Sequence, residues 1–243
     1  MILSGSSILR YCEDGHIEGG QEIGVDGADQ PLNRQERRKQ NTRAALIKAA
    51  QGFIAAGKVN VPVQDISQAA DVGVGSFYNH FESKEALFQA AVNEVLDAHG
   101  ALLDALTTAD EDPAEMFARS FRLTGRMFRR RSDESGVVLA YGLALITSDR
   151  GLGPRSKRDI AAAAAAGRFD VADPELAMAI AAGALLGLGQ LLRAQPERDD
   201  AQATDQIAES LLRLFGMPAD AAHRLCVKPL PFFADLDGAD SAG

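Results

Sequence analysis

The sequence predicts an all-α protein, and two observations support this fold class. From Arg34 onward, apolar residues recur every three or four positions, which is the period of an amphipathic helix. No segment alternates apolar and polar residues for long enough to form a β-strand. The 243 residues are 46% hydrophobic and 24% charged, a composition typical of soluble globular proteins with one or two cores. We expect a small N-terminal unit of three helices followed by a larger helical unit.

The N-terminal segment 1–33 has no apolar period and is rich in Gly, Ser and acidic residues. We interpret it as a disordered extension, or as the product of a start codon placed upstream of the natural one. The first helix follows, with Leu46, Ala50 and Ile54 on one face and Gly57 at its end.

A second, short helix begins after Pro62, because proline is tolerated at a helix start but not inside it. The Gly-containing stretch 71–75 breaks this helix, and Phe77 and Phe81, four residues apart, would face inward from a third. The predicted arrangement is therefore a helix, a tight turn and a second helix, within a domain spanning 34–82.

The remainder reads as helix throughout. Ser83 offers an N-cap oxygen to a long helix over 84–106, with Glu85 in its first turn. The apolar period and the breaking residues predict further helices over 113–131, 135–148, 154–167, 174–194 and 203–216. We expect the larger domain to span 83–217, and 218–243 to contain a helix fragment and a tail in which 227–233 is extended and packs back on the body.

Charge is distributed unevenly along the chain. The net charge is −9, yet 34–84 contains eight basic and four acidic residues and carries +4. Such a basic head on an acidic body suits a nucleic-acid-binding domain, although ordinary solvated helices also carry local charge.

A helix-turn-helix places its second helix in the major groove of DNA, with flanking cations on the phosphates. The third helix would expose short side chains to bases, Tyr78 and His80 would donate to phosphates, and the first helix would reach the flanking backbone or minor groove. The predicted DNA-binding residues are Arg37, Arg38, Arg43, Val63, Gln64, Val74, Gly75, Ser76, Tyr78, Asn79, His80 and Lys84. On spacing alone, a three-helix packing corner with solvated charges explains the pattern equally well.

The segment 64–88, with Gly-Ser-Phe-Tyr-Asn-His-Phe at 75–81 and Ser-Lys-Glu at 83–85, closely resembles the DNA-binding signature of the tetracycline-repressor (TetR) family. The resemblance covers about 38–90; the rest is similar only in the number and arrangement of its helices. It implies an N-terminal helix-turn-helix DNA-binding domain and a C-terminal helical domain that binds a ligand and dimerises. It also implies that Ser76, Tyr78, Asn79, His80 and Lys84 contact DNA and that Val63 and Gln64 lie close to it.

Four positions depart from the family pattern. Pro62 and Val63 stand where threonines are frequent, which removes a hydroxyl contact to phosphate. Asp71 replaces the usual turn glycine and Gly73 the usual serine. These differences affect the operator sequence more than the binding mode, since aspartate tolerates a left-handed turn conformation.

The helix over 174–194 is apolar nearly all round, so it must be buried. Its glycines 183, 187 and 189 suggest close approach to another helix. We expect it to form, with 203–216, a four-helix interface in a homodimer; an internal core helix is the alternative. The predicted interface residues are Ala179, Gly183, Leu186, Gly187, Gln190, Ile207, Leu211 and Leu214.

The helix over 113–131 carries a stripe of aromatic and hydroxyl side chains. Such a stripe is more often core than ligand site, but the resemblance implies a cavity here for a small, largely apolar effector. The predicted effector-binding residues are His99, Phe117, Ser120, Phe121, Thr124, Phe128 and Tyr141.

Other function classes receive little support. Cys12 and Cys226 form no disulfide or zinc pattern, and the histidines at 16, 80, 99 and 223 belong to no catalytic or metal-binding motif. We expect no enzyme activity, cofactor or metal. No signal peptide is evident, and the apolar run 176–192 is about 25 Å long as a helix, short of the roughly 30 Å bilayer core.

The sequence thus predicts a cytoplasmic, homodimeric regulator of transcription, a repressor released from a palindromic operator by its effector. The alternative is a helical protein-interaction module whose head binds DNA without sequence specificity.

Overall fold

The computed structural model describes residues 33–105, 112–146 and 150–231, and in these ranges it contains ten helices and no strand. The N-terminal head consists of α1 (Arg34–Ala55), α2 (Val63–Ala69) and α3 (Val74–Tyr78). The body consists of α4 (Lys84–Ala105), α5 (Pro113–Arg130), α6 (Ser132–Leu145), α7 (Leu152–Ala165), α8 (Pro174–Ala194), α9 (Asp200–Leu214) and α10 (Ala219–Cys226). The all-α class is confirmed. The expectations for segment 1–32 and for Cys12 lie outside the described residues.

Local chemistry sets the ends of the head helices. Asn33, expected in the extension, is the N-cap of α1 and forms a capping box with Glu36. Gly57 ends this helix with φ +72°, as predicted. In the turn between α2 and α3, Asp71 has φ +54°, the left-handed conformation expected of an aspartate at a turn glycine's position.

Caps also define the body helices. Ser83 Oγ accepts from the backbone N–H of Ala86 at 3.1 Å, as its predicted role as N-cap of α4 requires. Asp112 and Asp173 cap α5 and α8, each directly before a proline at the first helical position. The helix predicted over 203–216 begins earlier, at Asp200, because Asp199 caps it.

Two large apolar clusters organise the fold. One lies in the body, where the rings of Phe117, Phe169 and Phe215 meet at centroid distances of 5.3–5.8 Å. The other joins the head to the body, since Leu46 and Phe77 share it with residues of α4 and α6. The head therefore packs on α4 and α6 of the body.

The chain after α9 returns to the body. Arg122, 4% exposed, donates from Nη1 to the carbonyl oxygens of Leu225 and Lys228 at 3.3 and 2.9 Å. Leu230 packs against the cluster of Leu103 and its neighbours. Lys228 and Leu230 thus contact the body, as expected of a segment that packs back, but Val227 is 62% exposed and its backbone is not extended. Residues 232–243 lie outside the described residues.

Candidate DNA-binding head and effector cavity

The exposed side of α3 forms the predicted recognition surface. Phe77 is fully buried and anchors this short helix, while Tyr78 is 61% exposed. Val74, Gly75 and Asn79 are also exposed, and Ser76 and His80 are half-buried. No atom beyond the local chain lies within 4 Å of the position that a side chain would occupy at 73 or 75. A DNA backbone could therefore approach α3 closely.

Basic groups of α1 lie beside this surface. The Arg43 guanidinium lies over the Phe81 ring, 5.2 Å from its centroid, and this contact orients it. Burial, together with the positive charges of Lys39 and Arg43, lowers the pKa of His80 below its ordinary value. Cations of α1 thus lie beside His80 on one side of the head, an arrangement suited to phosphate groups.

The remaining predicted DNA-binding residues lie on α1, at the start of α2 and at the start of α4. Arg37, Arg38 and Gln64 are exposed, whereas Val63 packs partly against the head core. Lys84 is half-buried, and its Nζ donates to Asn60 Oδ1 at 3.3 Å. Asn60 was not predicted; as a short polar residue in the loop before α2, it gave no periodic signal.

A cavity of about 70 Å³ lies in the body, lined by α4, α5, α7 and α8. Four of the predicted effector residues line it, namely Phe117, Ser120, Phe121 and Thr124. Its walls are mainly apolar, with a few polar groups, as in small-molecule sites generally.

His99 does not line the cavity but forms a hydrogen bond with Thr124, which does. The Thr124 hydroxyl donates to the Ser120 carbonyl at 2.8 Å, so its oxygen is left to accept from His99 Nε2, 3.0 Å away. Burial, aided by Arg131 and Arg155, lowers the pKa of His99 to about 4. The imidazole is therefore neutral at physiological pH and fixes the orientation of the Thr124 hydroxyl.

Two predicted effector residues lie elsewhere. Phe128 lies one turn beyond Thr124 on α5, outside the cavity, and packs against Gly189. Tyr141 packs against the cluster that joins head and body. Helical periodicity places both on apolar faces, but it does not say which neighbour each face meets.

The polar side of the cavity was not predicted from the sequence. Arg155 of α7 forms an ion pair with Asp104 of α4, with Nη2–Oδ2 and Nε–Oδ1 distances of 2.6 and 3.1 Å. Asp159, also on α7, lines the cavity and is buried, which raises the pKa of its carboxyl against the opposing charge of Arg158. Ser156 completes this side. The spacing of 155, 156 and 159 along one helix face was a usable signal.

The predicted dimer face is only partly exposed. Leu176, Ile180 and Leu214 are 64%, 49% and 61% exposed, and nothing lies within 4 Å of the positions that side chains would occupy at Gly183 and Gly187. Gln190 is exposed, and Ala179 and Ile207 are half-buried. By length and composition α8 could cross a membrane. One third of the residues in its most apolar 18-residue stretch are buried within the protomer.

Two expectations for this face are corrected. Leu211 is 4% exposed and lies in the body core, so it cannot reach a partner. Leu186 covers Gly142 of α6 and also faces inward. Gly189 makes the expected close approach to other helices, and it does so within the protomer, to Phe128 and Leu139.

The fold and these sites define a helix-turn-helix regulator with a helical body that encloses a small-molecule cavity. Residues 46–91 match the family model "Bacterial regulatory proteins, tetR family". Residues 112–228 match the model "Tetracyclin repressor-like, C-terminal domain". The chain belongs to the TetR family.

Solved structures and curated proteins that are similar to this chain support the same assignment. The structure of RolR without ligand is 31% identical, with a TM-score of 0.59, and the match covers 78% of this chain and 98% of RolR. RolR in complex with resorcinol is 30% identical, with a TM-score of 0.55 and coverages of 81% and 98%. The transcriptional repressor DhaR of a Mycobacterium species is 39% identical over 75 residues, which are 30% of this chain and 38% of DhaR.

The regulator TtgR of Pseudomonas putida is 34% identical over 84 residues, or 34% of this chain and 40% of TtgR. The match thus spans less than half the length of each of these two curated relatives.

Proposed function

We propose that this protein is a dimeric repressor that binds a palindromic operator and is released from it by a small, largely apolar effector. The observation that carries the proposal is the exposed side of α3, with Tyr78 and Asn79 in the open and the cations of α1 beside it. Short polar groups next to cations suit base reading combined with phosphate contacts.

The apolar surface of α8 and α9 supports the dimer. Side chains such as Leu176 and Leu214 are more than half exposed in the protomer, and a second copy would bury them. A two-fold dimer presents two copies of α3, which calls for an operator of two inverted half-sites about one helical turn, or a multiple of it, apart.

For the effector we propose an aromatic compound with ring hydroxyl groups. The cavity joins the apolar wall of Phe117 and Phe121 to polar groups of α5 and α7. The Asp159 carboxylate is an acceptor for a ligand hydroxyl. The name of the similar RolR structure gives resorcinol, a dihydroxybenzene, as the ligand of that protein.

Release would follow if the effector favours a state in which α4 shifts. This helix carries Lys84 at the head end and Leu103 and Asp104 at the cavity, so one rigid element joins the two sites. An effector that binds the shifted state more tightly lowers DNA affinity by that difference.

We assign the protein to the cytoplasm, where operator DNA is found, and assign it no catalytic role. Its described cysteine, Cys226, is a free buried thiol, and burial raises its pKa to about 11. Such a thiol is unreactive at neutral pH and suits a reducing compartment.

The first experiment is selection of bound sequences from a randomised double-stranded DNA pool at about 150 mM salt, a concentration at which non-specific binding is weak. We expect enrichment of one inverted repeat. Resorcinol is then titrated against the dimer–operator complex, with release expected. Binding to DNA without enrichment of any sequence would overturn the operator and favour the interaction-module alternative.

A further inference from the structure

A second, almost wholly apolar cavity of about 50 Å³ adjoins the first. The two share four lining residues, Leu152, Gly153, Ala182 and Leu185, and we call these adjoining cavities the first and the second lobe. Every residue around the second lobe is aliphatic or glycine, and Ile146 and Leu96 are among them. The first lobe, by contrast, carries hydroxyl, carboxylate and guanidinium groups.

The second lobe lies between the first lobe and the head. Leu96 of α4 and Val138 of α6 line it, and both belong to the apolar cluster that contains Leu46 and Phe77 of the head. Part of its wall therefore belongs to the apolar cluster through which the head packs on the body. Space is kept in part by Gly142, where a side chain would stand 2.5 Å from Leu186.

We infer that the effector is a hydroxylated aromatic ring carrying a short alkyl chain, with the ring in the first lobe and the chain in the second. This inference rests on the proposed function and specifies its ligand. The division of polar and apolar lining between the two lobes carries it: the ring hydroxyls meet Asp159 and its neighbours, and the chain meets only carbon.

The position of the second lobe also assigns the chain a role in release. A chain that fills the lobe presses on Leu96 and Val138 and so acts on the contact between body and head. An unsubstituted ring leaves the second lobe empty and does not act on this contact. The alkylated compound should therefore release DNA at a lower fractional occupancy than the ring alone.

The test compares resorcinol with 4-n-alkylresorcinols from ethyl to hexyl. Their dissociation constants are measured by calorimetry on the free dimer, and release is measured on the selected operator. We expect affinity to rise about fourfold per methylene group until the lobe is full, because each buried methylene contributes about 0.8 kcal/mol. Longer chains should then bind less well.

Two variants of Ile146 locate the chain. Ile146 is half-buried, lines the second lobe and is absent from the first. Ile146→Phe should abolish the gain from chain length while resorcinol binds as before, and Ile146→Ala should shift the optimum to a longer chain. Ala140→Phe, at an exposed position on α6, the helix that ends just before Ile146, is the matched control and should keep the wild-type profile.

The possible outcomes separate the two proposals. If resorcinol binds but chain length has no effect, the second lobe is not a ligand site and the proposed function stands. The same conclusion follows if both Ile146 variants keep the wild-type profile. If neither resorcinol nor its alkyl derivatives bind, the aromatic effector and the alkyl chain are both overturned, and the selected operator still tests the DNA-binding function.

Discussion

The guanidinium group of Arg155 lies across Gly100 of α4 to reach Asp104, one turn further along the same helix. A methyl group at position 100 would stand 2.5 Å from Arg155 Nη1, well inside van der Waals contact. The absence of a side chain at Gly100 is therefore what allows the ion pair, and both partners line the cavity in the body.

Gly100→Ala should separate ligand binding from folding. Alanine favours the helix interior by about 1 kcal/mol over glycine, and the obstructed atoms are the flexible end of Arg155, so the free energy of unfolding should not fall. The guanidinium must move away from Asp104, which changes the polar edge of the cavity. Loss of one charge-assisted hydrogen bond between this edge and a resorcinol hydroxyl should weaken resorcinol binding about tenfold. Calorimetry and urea denaturation measure the two effects.

The matched control is Gly52→Ala on α1, where nothing lies within 4 Å of the added methyl group. It should raise the free energy of unfolding by up to about 1 kcal/mol and leave resorcinol affinity unchanged. Wild-type affinity in the Gly100 variant would mean that the ion pair does not shape the cavity.

Asp205→Ala should destabilise the body strongly. Asp205 accepts from Arg122 Nε at 2.8 Å and from Arg126 Nη2 at 2.9 Å, and the Arg122 side chain is 5% exposed. Removing the carboxylate leaves a buried cation without its counter-charge, which costs about 3 kcal/mol, the lower end of the usual range because Asp205 itself is 30% exposed. Urea denaturation measures the change.

Asp220→Ala breaks an ion pair of similar length and serves as its control. Asp220 and Arg224 are 2.7 Å apart, but both side chains are about two-thirds exposed or more. Such pairs contribute between 0 and about 1 kcal/mol, so the variant should unfold near the wild-type urea concentration. Equal losses in the two variants would show that burial of Arg122 does not govern its contribution.

Much of the fold could be predicted because the signals are local. Ser83 and Pro113 act on the turn that follows them, and Asp71 adopts the conformation that its short polar side chain tolerates. The helix predicted over 174–194 has the same bounds in the structure. Each of these depends on neighbours within a few residues.

The ion pair on the polar side of the cavity could not be predicted because its partners are distant in sequence. Arg155 and Asp104 are 51 residues apart, and each alone resembles a solvated charge. Phe128 and Leu211 show the same limit for apolar residues. Periodicity places them on a buried face, but Phe128 meets Gly189 and Leu211 the body core, not the cavity and the dimer partner expected of them.

Stability should fall in acid because of His99. Its folded-state pKa, about 4, is below the ordinary value of 6.5, so between these values the unfolded chain binds more protons. The stabilisation is complete above pH 6.5 and is lost as pH falls towards 4, by up to about 3 kcal/mol. The free energy of unfolding, measured by urea denaturation across this range, gives the slope.

His99→Gln removes the titrating group and should flatten this slope, while His223→Gln, at an exposed residue, should keep it. An unchanged slope in the His99 variant would show that acid acts elsewhere.

Ile180→Glu should dissociate the proposed dimer. Ile180 is 49% exposed on α8, beside the open surface at Gly183, and a partner would bury it. An unpaired carboxylate is costly in such an interface. Light scattering should therefore report a monomer whose operator affinity has fallen. Ala162→Glu, at an exposed position of α7, should remain dimeric, and a dimeric Ile180 variant would place the interface on another face.

Asn79→Ala and Lys84→Ala should differ in how they affect specific and random DNA. Asn79 is exposed at the end of α3. An amide that reads one base pair contributes about 1–3 kcal/mol to discrimination, so loss of the Asn79 amide should weaken binding to the operator more than binding to random DNA.

Lys84, whose Nζ lies 3.3 Å from Asn60 Oδ1, would neutralise a phosphate on any sequence. Its loss should weaken both DNAs and reduce the slope of log K against log salt by about two, since a dimer carries two copies. Glu94→Ala, at an exposed position on α4, should change neither, and equal losses on both DNAs for Asn79→Ala would remove it from the base-reading residues.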